Sequence, residues 1–158
     1  MGSGFSITGD GGHYHEVVTN LFIGDCYSIY QNKFYKLKKL LIINITNDVE
    51  MNKNLPNAKK IRLKIDDDLK ASSSMKMYVN LPQITDIIDQ HLKSGYVVLV
   101  HCVAGRQRSC AAVAAYLMKY RKLSMNTAIE LVKRKRPNAF LFGANFKDAL
   151  IKFQQDLN

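Results

Sequence analysis

The sequence has few cysteines and no apolar run long enough to cross a membrane. Three cysteines occur in 158 residues, and no two of them form a C-x-x-C motif. An odd number without that motif argues against a disulfide scaffold and against a zinc site. No apolar stretch approaches the roughly 20 residues of a spanning helix, and the polar, glycine-rich start does not resemble a secretory signal peptide. We therefore expect one domain of a reducing, cytoplasmic compartment, with no metal and no cofactor.

Acidic residues are also in the minority. The chain has 13 Asp and Glu but 23 Lys and Arg, which gives a formal net charge of +10. The basic residues cluster at 36–39, 59–60, 119–122 and 133–136. Solvated helix faces are the simpler interpretation of these clusters. The alternative is a basic surface that attracts an anionic substrate or an anionic membrane. Nucleic acid is the less favoured partner, and the sequence carries no signal for an oligomeric state.

The most informative stretch is His101–Ser109, which reads HCVAGRQRS. The apolar run Tyr96–Val100 before it predicts a buried strand, and the alanine-rich run Cys110–Met118 after it predicts a helix buried nearly all round. A loop between a strand and a helix N-terminus presents backbone N–H groups near the positive end of the helix dipole. The stretch therefore predicts an anion site, in which the five residues between Cys102 and Arg108 surround one phosphate.

The residue types in this loop suit an attack by sulfur on phosphorus. The helix dipole, the loop amides and Arg108 all favour the thiolate of Cys102, which is the nucleophilic form. Arg108 also offers a planar fork to two phosphate oxygens, which a lysine cannot copy. We expect Ser109 to hydrogen-bond the sulfur when it leaves. We expect His101 to orient the loop without acting as acid or base, and Gly105 to allow a turn that a Cβ would obstruct.

At these residues the sequence resembles the cysteine-dependent protein phosphatases, whose signature is H-C-x-x-G-x-x-R-[S/T]. All five specified positions match. The run Leu21–Gly24 is similar to the opening L-[YF]-[IL]-G of the small dual-specificity members, and the likeness extends from about residue 20 to about residue 157. The resemblance implies hydrolysis of phospho-Tyr and phospho-Ser/Thr in proteins through a covalent phosphocysteine at Cys102. It assigns substrate binding to the loop residues Val103, Ala104, Gly105, Arg106 and Gln107.

The leaving oxygen of a phosphate ester needs a proton, which a carboxylic acid on a mobile loop usually donates. The triplet Asp66–Asp68 follows a predicted strand that should end beside the catalytic loop. Charge alone leaves the triplet undecided between an acid and a solvated turn. Relatives carry an aspartate after an apolar-x-apolar strand end, and Leu63–Asp67 fits that spacing. The resemblance therefore favours Asp67 as the acid, with Asp68 second and Asp66 third.

Arg106 adds a second arginine to the loop and opens an alternative function. A basic residue here is similar to lipid-directed members of the superfamily, although those carry another basic residue where this chain has Val103. A phosphoinositide or other phospholipid is therefore the second substrate class. An RNA 5′-triphosphatase and a non-catalytic phosphate-binding module are less favoured, the latter because Cys102 and Arg108 are both present.

The start of the chain matches the N-myristoylation pattern M-G-x-x-x-[S/T], with Gly2 as the acylated residue. The remnant of an expression tag explains the same residues. One myristoyl chain gives only marginal membrane binding, so the basic clusters would have to supply the second signal.

The apolar pattern predicts a single α/β domain over 17–158, after a flexible lead-in over 1–16. We expect a mainly parallel sheet with helices on both faces and the phosphate loop between a central strand and a buried helix, at the carboxyl edge of the sheet. Predicted strands cover 20–25, 40–45, 60–65 and 96–100. Predicted helices cover 77–92, 110–118, 124–136 and 146–157. In the first helix a serine among 72–74 is the expected N-cap and Pro82 the expected start or kink. Ser124 is the expected N-cap of the third helix, and Pro137 its end.

Overall fold

The computed structural model describes residues 12–55 and 57–158, in which five strands and five α-helices are assigned. The strands are β1 (Tyr14–Val18), β2 (Leu21–Gly24), β3 (Leu40–Asn44), β4 (Ala58–Arg62) and β5 (Val97–His101). The helices are α1 (Asn32–Tyr35), α2 (Ala71–Lys93), α3 (Arg108–Tyr120), α4 (Met125–Lys135) and α5 (Lys147–Leu157), with a 3-10 turn at Ser28–Tyr30 before α1.

The strands pair in the order β1-β2-β5-β3-β4, and only β1 runs antiparallel to its neighbour. β5 is therefore the central strand. Its last residue, His101, pairs with Gly24 at the end of β2 and with Asn44 at the end of β3. Three parallel strands thus end together at one edge, which is where open α/β sheets place their ligand sites. The predicted fold class is confirmed.

Side chains along the central strands alternate between two cores, as the two-residue period of a strand requires. The larger core lies under α2 to α5 and contains Leu21, Ile23, Leu41, Ile43, Val98 and Val100. The smaller core lies on the other face, beside α1, and contains Phe22, Phe34, Leu40, Ile42 and Leu99. Helices therefore cover both faces of the sheet, but four of them share one face and only the short α1 covers the other.

α3 is the innermost helix, and its composition explains why. Every residue from Arg108 to Met118 is buried. Four of them are alanines, which favour helical backbone and allow close packing on all sides. The helix packs against α2, α4, α5 and the central strands. The predicted buried helix after the loop is thus present, and it begins two residues earlier than predicted.

α2 also begins earlier than predicted, and Pro82 does not start it. The helix spans Ala71–Lys93 with the proline inside. The missing N–H of proline removes one helical hydrogen bond, but the helix keeps an apolar face in the core. That face consists of Met77, Leu81, Ile84 and Ile88. The N-cap is Lys70 and not one of the serines at 72–74. The backbone N–H of Lys70 donates to the Asp68 carboxylate at 3.0 Å.

The last two helices follow the predicted pattern closely. Ser124 caps α4, since its Oγ accepts a hydrogen bond from Thr127 N at 3.2 Å. α4 ends at Lys135, two residues before Pro137. The core side of α5 consists of Ala149, Leu150 and Phe153, with Phe146 buried just before it. Leu157, predicted on the same face, is 38% exposed because the helix ends there.

The sheet begins inside the segment that we expected to be a flexible lead-in. β1 starts at Tyr14 and pairs with β2, and His13 just before it lies 2.7 Å from a carboxylate oxygen of Asp25. Residues 14–16 therefore belong to the domain, which moves its start before residue 17. The reason is that a short edge strand beside glycines carries a weak apolar signal. The myristoylation pattern at Gly2 lies outside the described residues. Within the described residues, no helix is long and apolar enough to cross a membrane.

Candidate active site

The loop between β5 and α3 is held in place by hydrogen bonds to its backbone carbonyl oxygens. Those of Val103, Ala104, Gly105, Arg106 and Gln107 all accept hydrogen bonds from other parts of the chain. Cys26 N donates to Val103 at 2.9 Å, and Phe140 N donates to Arg106 at 2.8 Å. Arg136 donates twice, from Nη2 to Ala104 at 3.2 Å and from Nε to Gly105 at 2.6 Å. Ala111 N donates to Gln107 at 2.8 Å. Five consecutive carbonyls are thus turned outward, each to a partner.

The outward carbonyls determine where the loop amides point. In a trans peptide, the carbonyl and the N–H that follows it point in opposite directions. The N–H groups of residues 104–108 therefore face the inside of the arc. The N-terminus of α3 adds the positive end of a helix dipole at the same place. Convergent amides at a helix N-terminus are a phosphate site, so the backbone here forms the cradle that the sequence predicted.

Gly105 occupies the most constrained point of the arc. Its φ of +64° lies in the left-handed region. A Cβ at this position would come within 2.6 Å of Arg136 Nη2 and 2.7 Å of the Gly24 carbonyl oxygen. Both the backbone angle and the close approach require glycine.

Arg136 supports the arc from its outer side, and the sequence analysis did not identify it. Its side chain is only 1% exposed. Besides the two loop carbonyls, it binds the Gly12 carbonyl at 2.9 Å and lies 2.8 Å from His15 Nδ1. The interpretation of 133–136 as a solvated face is wrong for this last residue. α4 has ended at Lys135, so the helical period no longer predicts which way Arg136 points. No local signal in the sequence distinguishes it from the exposed basic residues that precede it.

Cys102 stands where the central strand enters the loop. It is 2% exposed, and its Sγ lies 3.2 Å from Ser109 Oγ. His101 is fully buried beside it, with Nδ1 3.3 Å from the Cys102 carbonyl oxygen. Burial lowers the pKa of His101 to about 4, so its ring is neutral at neutral pH. A neutral, buried ring bonded to the backbone fits a residue that orients the loop.

Arg108 links the catalytic loop to the segment that precedes the aspartates. The side chain is buried, and its Nη1 donates to the Ile65 carbonyl at 2.9 Å. Its Nε is also buried and has no hydrogen-bond partner among the described residues. Because a guanidinium has five N–H donors, several remain for the oxygens of a phosphate in the cradle.

Two of the three aspartates are engaged away from the loop. Asp66 accepts a hydrogen bond from the side chain of Asn47. Asp68 accepts one from Lys70 N at the start of α2, and that bond holds the pKa of the Asp68 carboxyl below its usual range. Asp68 therefore serves the start of α2.

Asp67 is the aspartate that connects to the catalytic loop. Its Oδ1 accepts a hydrogen bond from Asn145 Nδ2 at 2.9 Å. The backbone N–H of Asn145 in turn donates to the side chain of Gln107 at 2.9 Å. Of the three aspartates, Asp67 is therefore the one that these hydrogen bonds connect to the loop, and its role as the acid stays a prediction.

Comparison with known proteins identifies the family. The family model of the dual specificity phosphatase catalytic domain matches residues 21–156. The chain belongs to the dual-specificity phosphatase family. It is 33% identical over 143 residues to the candidate tyrosine phosphatase 123R of Invertebrate iridescent virus 6, covering 90% of this chain and 93% of the viral protein. Human dual specificity protein phosphatase 9 is 42% identical over 76 residues, which are 48% of this chain and 20% of that protein.

Solved structures agree on the fold. Human DUSP28 superimposes with a TM-score of 0.81 at 24% identity, over 92% of this chain and 95% of its own. A mouse dual specificity phosphatase solved with zinc tungstate gives the same TM-score at 26% identity, over 92% of this chain and 89% of its own. The predicted family and enzyme class, a dual-specificity protein phosphatase, are confirmed. Phosphatases of this class act on phosphorylated proteins.

Within this dual-specificity phosphatase loop, Gln107 departs from the predicted substrate-binding role. It is 6% exposed, and its side chain binds the backbone of residues 141, 143 and 145. Only its backbone is left to contribute to the cradle. Val103, Ala104 and Arg106 are exposed, so a substrate can reach their side chains.

The other two cysteines of the phosphatase are not placed as nucleophiles. Cys110 is fully buried in α3, and burial raises the pKa of its thiol, which donates to the Gly105 carbonyl at 3.4 Å. Burial also raises the pKa of Cys26, whose backbone N–H rather than its sulfur binds the loop. Among the residues that the structure describes, no group of three or more His, Cys, Asp or Glu could hold a metal ion.

Proposed function

We propose that this dual-specificity protein phosphatase acts on phospho-Tyr and phospho-Ser/Thr through a phosphocysteine formed at Cys102. The observation that carries the proposal is the arc of five outward carbonyls, with the buried Cys102 at its start and Arg108 at its end. A preformed cradle of this kind stabilises charge without reorganising during the reaction.

In the first step, the Cys102 thiolate attacks phosphorus while the P–O bond to the substrate breaks. The amides of residues 104–108 and the guanidinium of Arg108 balance the charge on the three transferring oxygens. Asp67 gives its proton to the leaving oxygen, which departs as a neutral alcohol or phenol. The phosphoryl group is now bonded to sulfur, and Asp67 is ionised.

In the second step, a water molecule attacks the phosphocysteine and the P–S bond breaks. Asp67 accepts the proton from that water, which restores its acid form and releases inorganic phosphate. The sulfur leaves as a thiolate. The Ser109 hydroxyl, 3.2 Å from the sulfur, stabilises that thiolate by donating a hydrogen bond.

The test of this mechanism is hydrolysis of an aryl phosphate in the presence of a chelator. We expect the wild-type protein to be active without added metal and Cys102→Ser to lose turnover while it still binds inorganic phosphate. Cys26→Ser is the matched control, since the hydrogen bond from Cys26 to the loop comes from its backbone N–H, and it should remain active. Activity in Cys102→Ser, or its loss with the chelator, would contradict the covalent mechanism.

A second candidate substrate is a phosphate ester at an anionic membrane surface. Leu69 and Phe142 are 75% and 98% exposed, and they lie on the two segments that the Asp67–Asn145 hydrogen bond joins. Arg106 is exposed in the loop and Lys70 beside Leu69. Apolar tips with cationic neighbours are suited to the interface of an anionic bilayer.

Three substrates distinguish the two candidates: a phosphoinositide in vesicles, its soluble headgroup and an aryl phosphate. If the membrane is the natural surface, Phe142→Ser and Arg106→Ala should lose activity on vesicles and keep it on the aryl phosphate. Equal effects on all three substrates would leave phosphorylated proteins as the substrate class.

We also propose a cytoplasmic location, with myristoylation of Gly2 as a route to the membrane. The N-terminal pattern and the net charge of +10 support this proposal. One acyl chain binds a bilayer only marginally, so membrane binding would need both the acyl chain and the basic clusters. Gly2→Ala removes the acyl chain and should therefore release the protein from the membrane fraction of cells. An unchanged distribution would remove the proposal.

A further inference from the structure

Gln107 joins the catalytic loop to the segment 140–145. It is the residue before Arg108, and it is 6% exposed. Its Nε2 donates to the carbonyls of Gly143 at 2.8 Å and Leu141 at 3.3 Å, and its Oε1 accepts from Asn145 N at 2.9 Å. The amide of Gln107 thus uses both of its N–H donors and its oxygen acceptor, and its three partners are the backbones of residues 141, 143 and 145.

The segment needs such support because its backbone is strained. Phe140 and Phe142 have φ values of +56° and +64°, a left-handed conformation that costs a large side chain on the order of 1 kcal/mol or more. Phe142 is almost fully exposed, so burial of its own ring does not hold it. Phe140 N donates to the Arg106 carbonyl at 2.8 Å. Hydrogen bonds to the catalytic loop thus anchor the segment at both ends.

The segment ends at the side chain that contacts the proposed acid. The Asn145 backbone binds Gln107, and the Asn145 side chain donates to Asp67 Oδ1 at 2.9 Å. Two hydrogen bonds therefore connect Gln107 to a carboxylate that is itself exposed on its loop. This contact holds Oδ1 on Asn145 and leaves Oδ2, the other carboxyl oxygen, outside that hydrogen bond.

We propose that Gln107 is a positioning residue for the general acid. Through Asn145 it fixes the direction of the Asp67 carboxyl, so that Oδ2 faces the leaving oxygen of a phosphate held in the cradle. The position of the phosphate and the position of the proton donor are then set by neighbouring residues of one loop, Gln107 and Arg108. This inference rests on the proposed role of Asp67 as the acid.

The test is a leaving-group series on Gln107→Ala and Asn145→Ala. A misplaced catalytic group costs up to ~100-fold, and the acid itself is worth ~10²–10⁴-fold. We therefore expect a loss of about tenfold or more on an alkyl phosphate. On an aryl phosphate with a good leaving group, which needs little protonation, the loss should be about tenfold smaller than the loss on the alkyl phosphate.

Gln154→Ala is the matched control. Its side chain also binds a backbone group, Met125 N at 2.8 Å, but beyond the far end of α3. It should show no dependence on the leaving group. If Gln107→Ala fails to give a cooperative melting curve, Asn145→Ala decides the question, because its half-buried side chain can be removed with less effect on folding.

A double-mutant cycle separates the two proposals. In an Asp67→Asn background, Gln107→Ala should cause no further loss on the alkyl phosphate, because the acid it positions is gone. If Asp67→Asn alone has no leaving-group-dependent effect, the assignment of the acid is wrong. If Asp67→Asn has that effect but Gln107→Ala slows all substrates equally, or its loss adds fully to that of Asp67→Asn, the positioning role is overturned.

Discussion

The catalytic loop (residues 101–109) and the acid loop (residues 66–70, which include the proposed acid Asp67) meet at one site but are held in different ways. In residues 101–109, the nucleophile and the arginine are buried, and every carbonyl from 103 to 107 is bound by surrounding elements. Residues 66–70 are all exposed, and the aspartates are held by polar contacts with neighbouring groups. Substitutions that disturb the first loop should therefore affect folding and catalysis together, whereas those in the second should affect catalysis or folding separately.

The largest effect should come from removing the support of the catalytic loop. Arg136→Ala leaves the Ala104 carbonyl without its partner, leaves the Gly105 carbonyl with only the weak Cys110 thiol contact, and opens a cavity. An unsatisfied buried polar group costs about 1–3 kcal/mol, so we expect the free energy of unfolding to fall by about 4–5 kcal/mol when the cavity is included. Activity should fall with it. Urea denaturation and turnover measure both effects.

The control for this prediction is Arg134→Ala, two residues away on the exposed face of α4. It should change neither stability nor activity by more than a small amount, since surface substitutions are usually within about 0.5 kcal/mol. Similar losses in the two variants would contradict the support role of Arg136.

The acid loop should give the opposite result. Asp67→Asn should lower turnover of an alkyl phosphate by ~10²–10⁴-fold and leave the melting temperature nearly unchanged, because the side chain is exposed. Steady-state rates with alkyl and aryl phosphates measure the effect. Asp66→Asn and Asp68→Asn are the controls. A large leaving-group-dependent loss at Asp68, with none at Asp67, would move the acid by one residue.

The pH dependence of stability should depend on the catalytic loop through His101. The pKa of this ring is lowered from 6.5 to about 4 by burial. As pH falls from 6.5 towards 4, the unfolded chain binds a proton at this position that the folded protein does not, so stability is lost. The shift corresponds to about 3 kcal/mol. In His101→Gln, the free energy of unfolding, measured by urea denaturation at several pH values, should change less between pH 6.5 and 4. An equally steep change would contradict the assignment of this pH dependence to His101.

The smallest effect concerns Asp68, two residues before the N-cap Lys70 of α2. The pKa of Asp68 lies below its ordinary value of 3.8, chiefly because of the hydrogen bond from Lys70 N. The charge of the Asp68 carboxylate therefore stabilises the fold above pH 3.8, and this stabilisation is lost as the pH falls through the lowered pKa. Asp68→Asn should lower the melting temperature slightly at neutral pH, and the difference should vanish in strong acid. A difference that persists there would mean that the charge is not its cause.

The sequence predicted the catalytic loop well because its chemistry is contiguous. Cys102, Arg108 and Ser109 lie within eight residues, between a strand and a helix that the apolar pattern indicates. The choice of Asp67 as the acid stays a prediction, which rests on the resemblance and on the spacing of this residue from a strand end. Ser124 was found by its residue type, which favours an N-cap. Local patterns of this kind can be read without knowing the tertiary structure.

The residues that were missed act over long distances along the chain. Arg136 supports a loop about 30 residues before it, and Asn145 contacts Asp67 across 78 residues. No periodicity relates such positions. Gln107 was assigned to the substrate because it lies in the loop, but its side chain turns towards residues 141–145. Pro82 was misjudged because tertiary packing keeps α2 helical despite one lost hydrogen bond.

The most direct test of the central claim is rapid-quench mass spectrometry during turnover of an aryl phosphate. Asp67→Asn should be used beside the wild type, because a good leaving group needs little acid in the first step, while the second step still needs a base. The intermediate should therefore accumulate, with phosphate on the peptide that contains Cys102 and none in Cys102→Ser. Release of phosphate without any adduct, or an adduct on another residue, would contradict nucleophilic attack by Cys102.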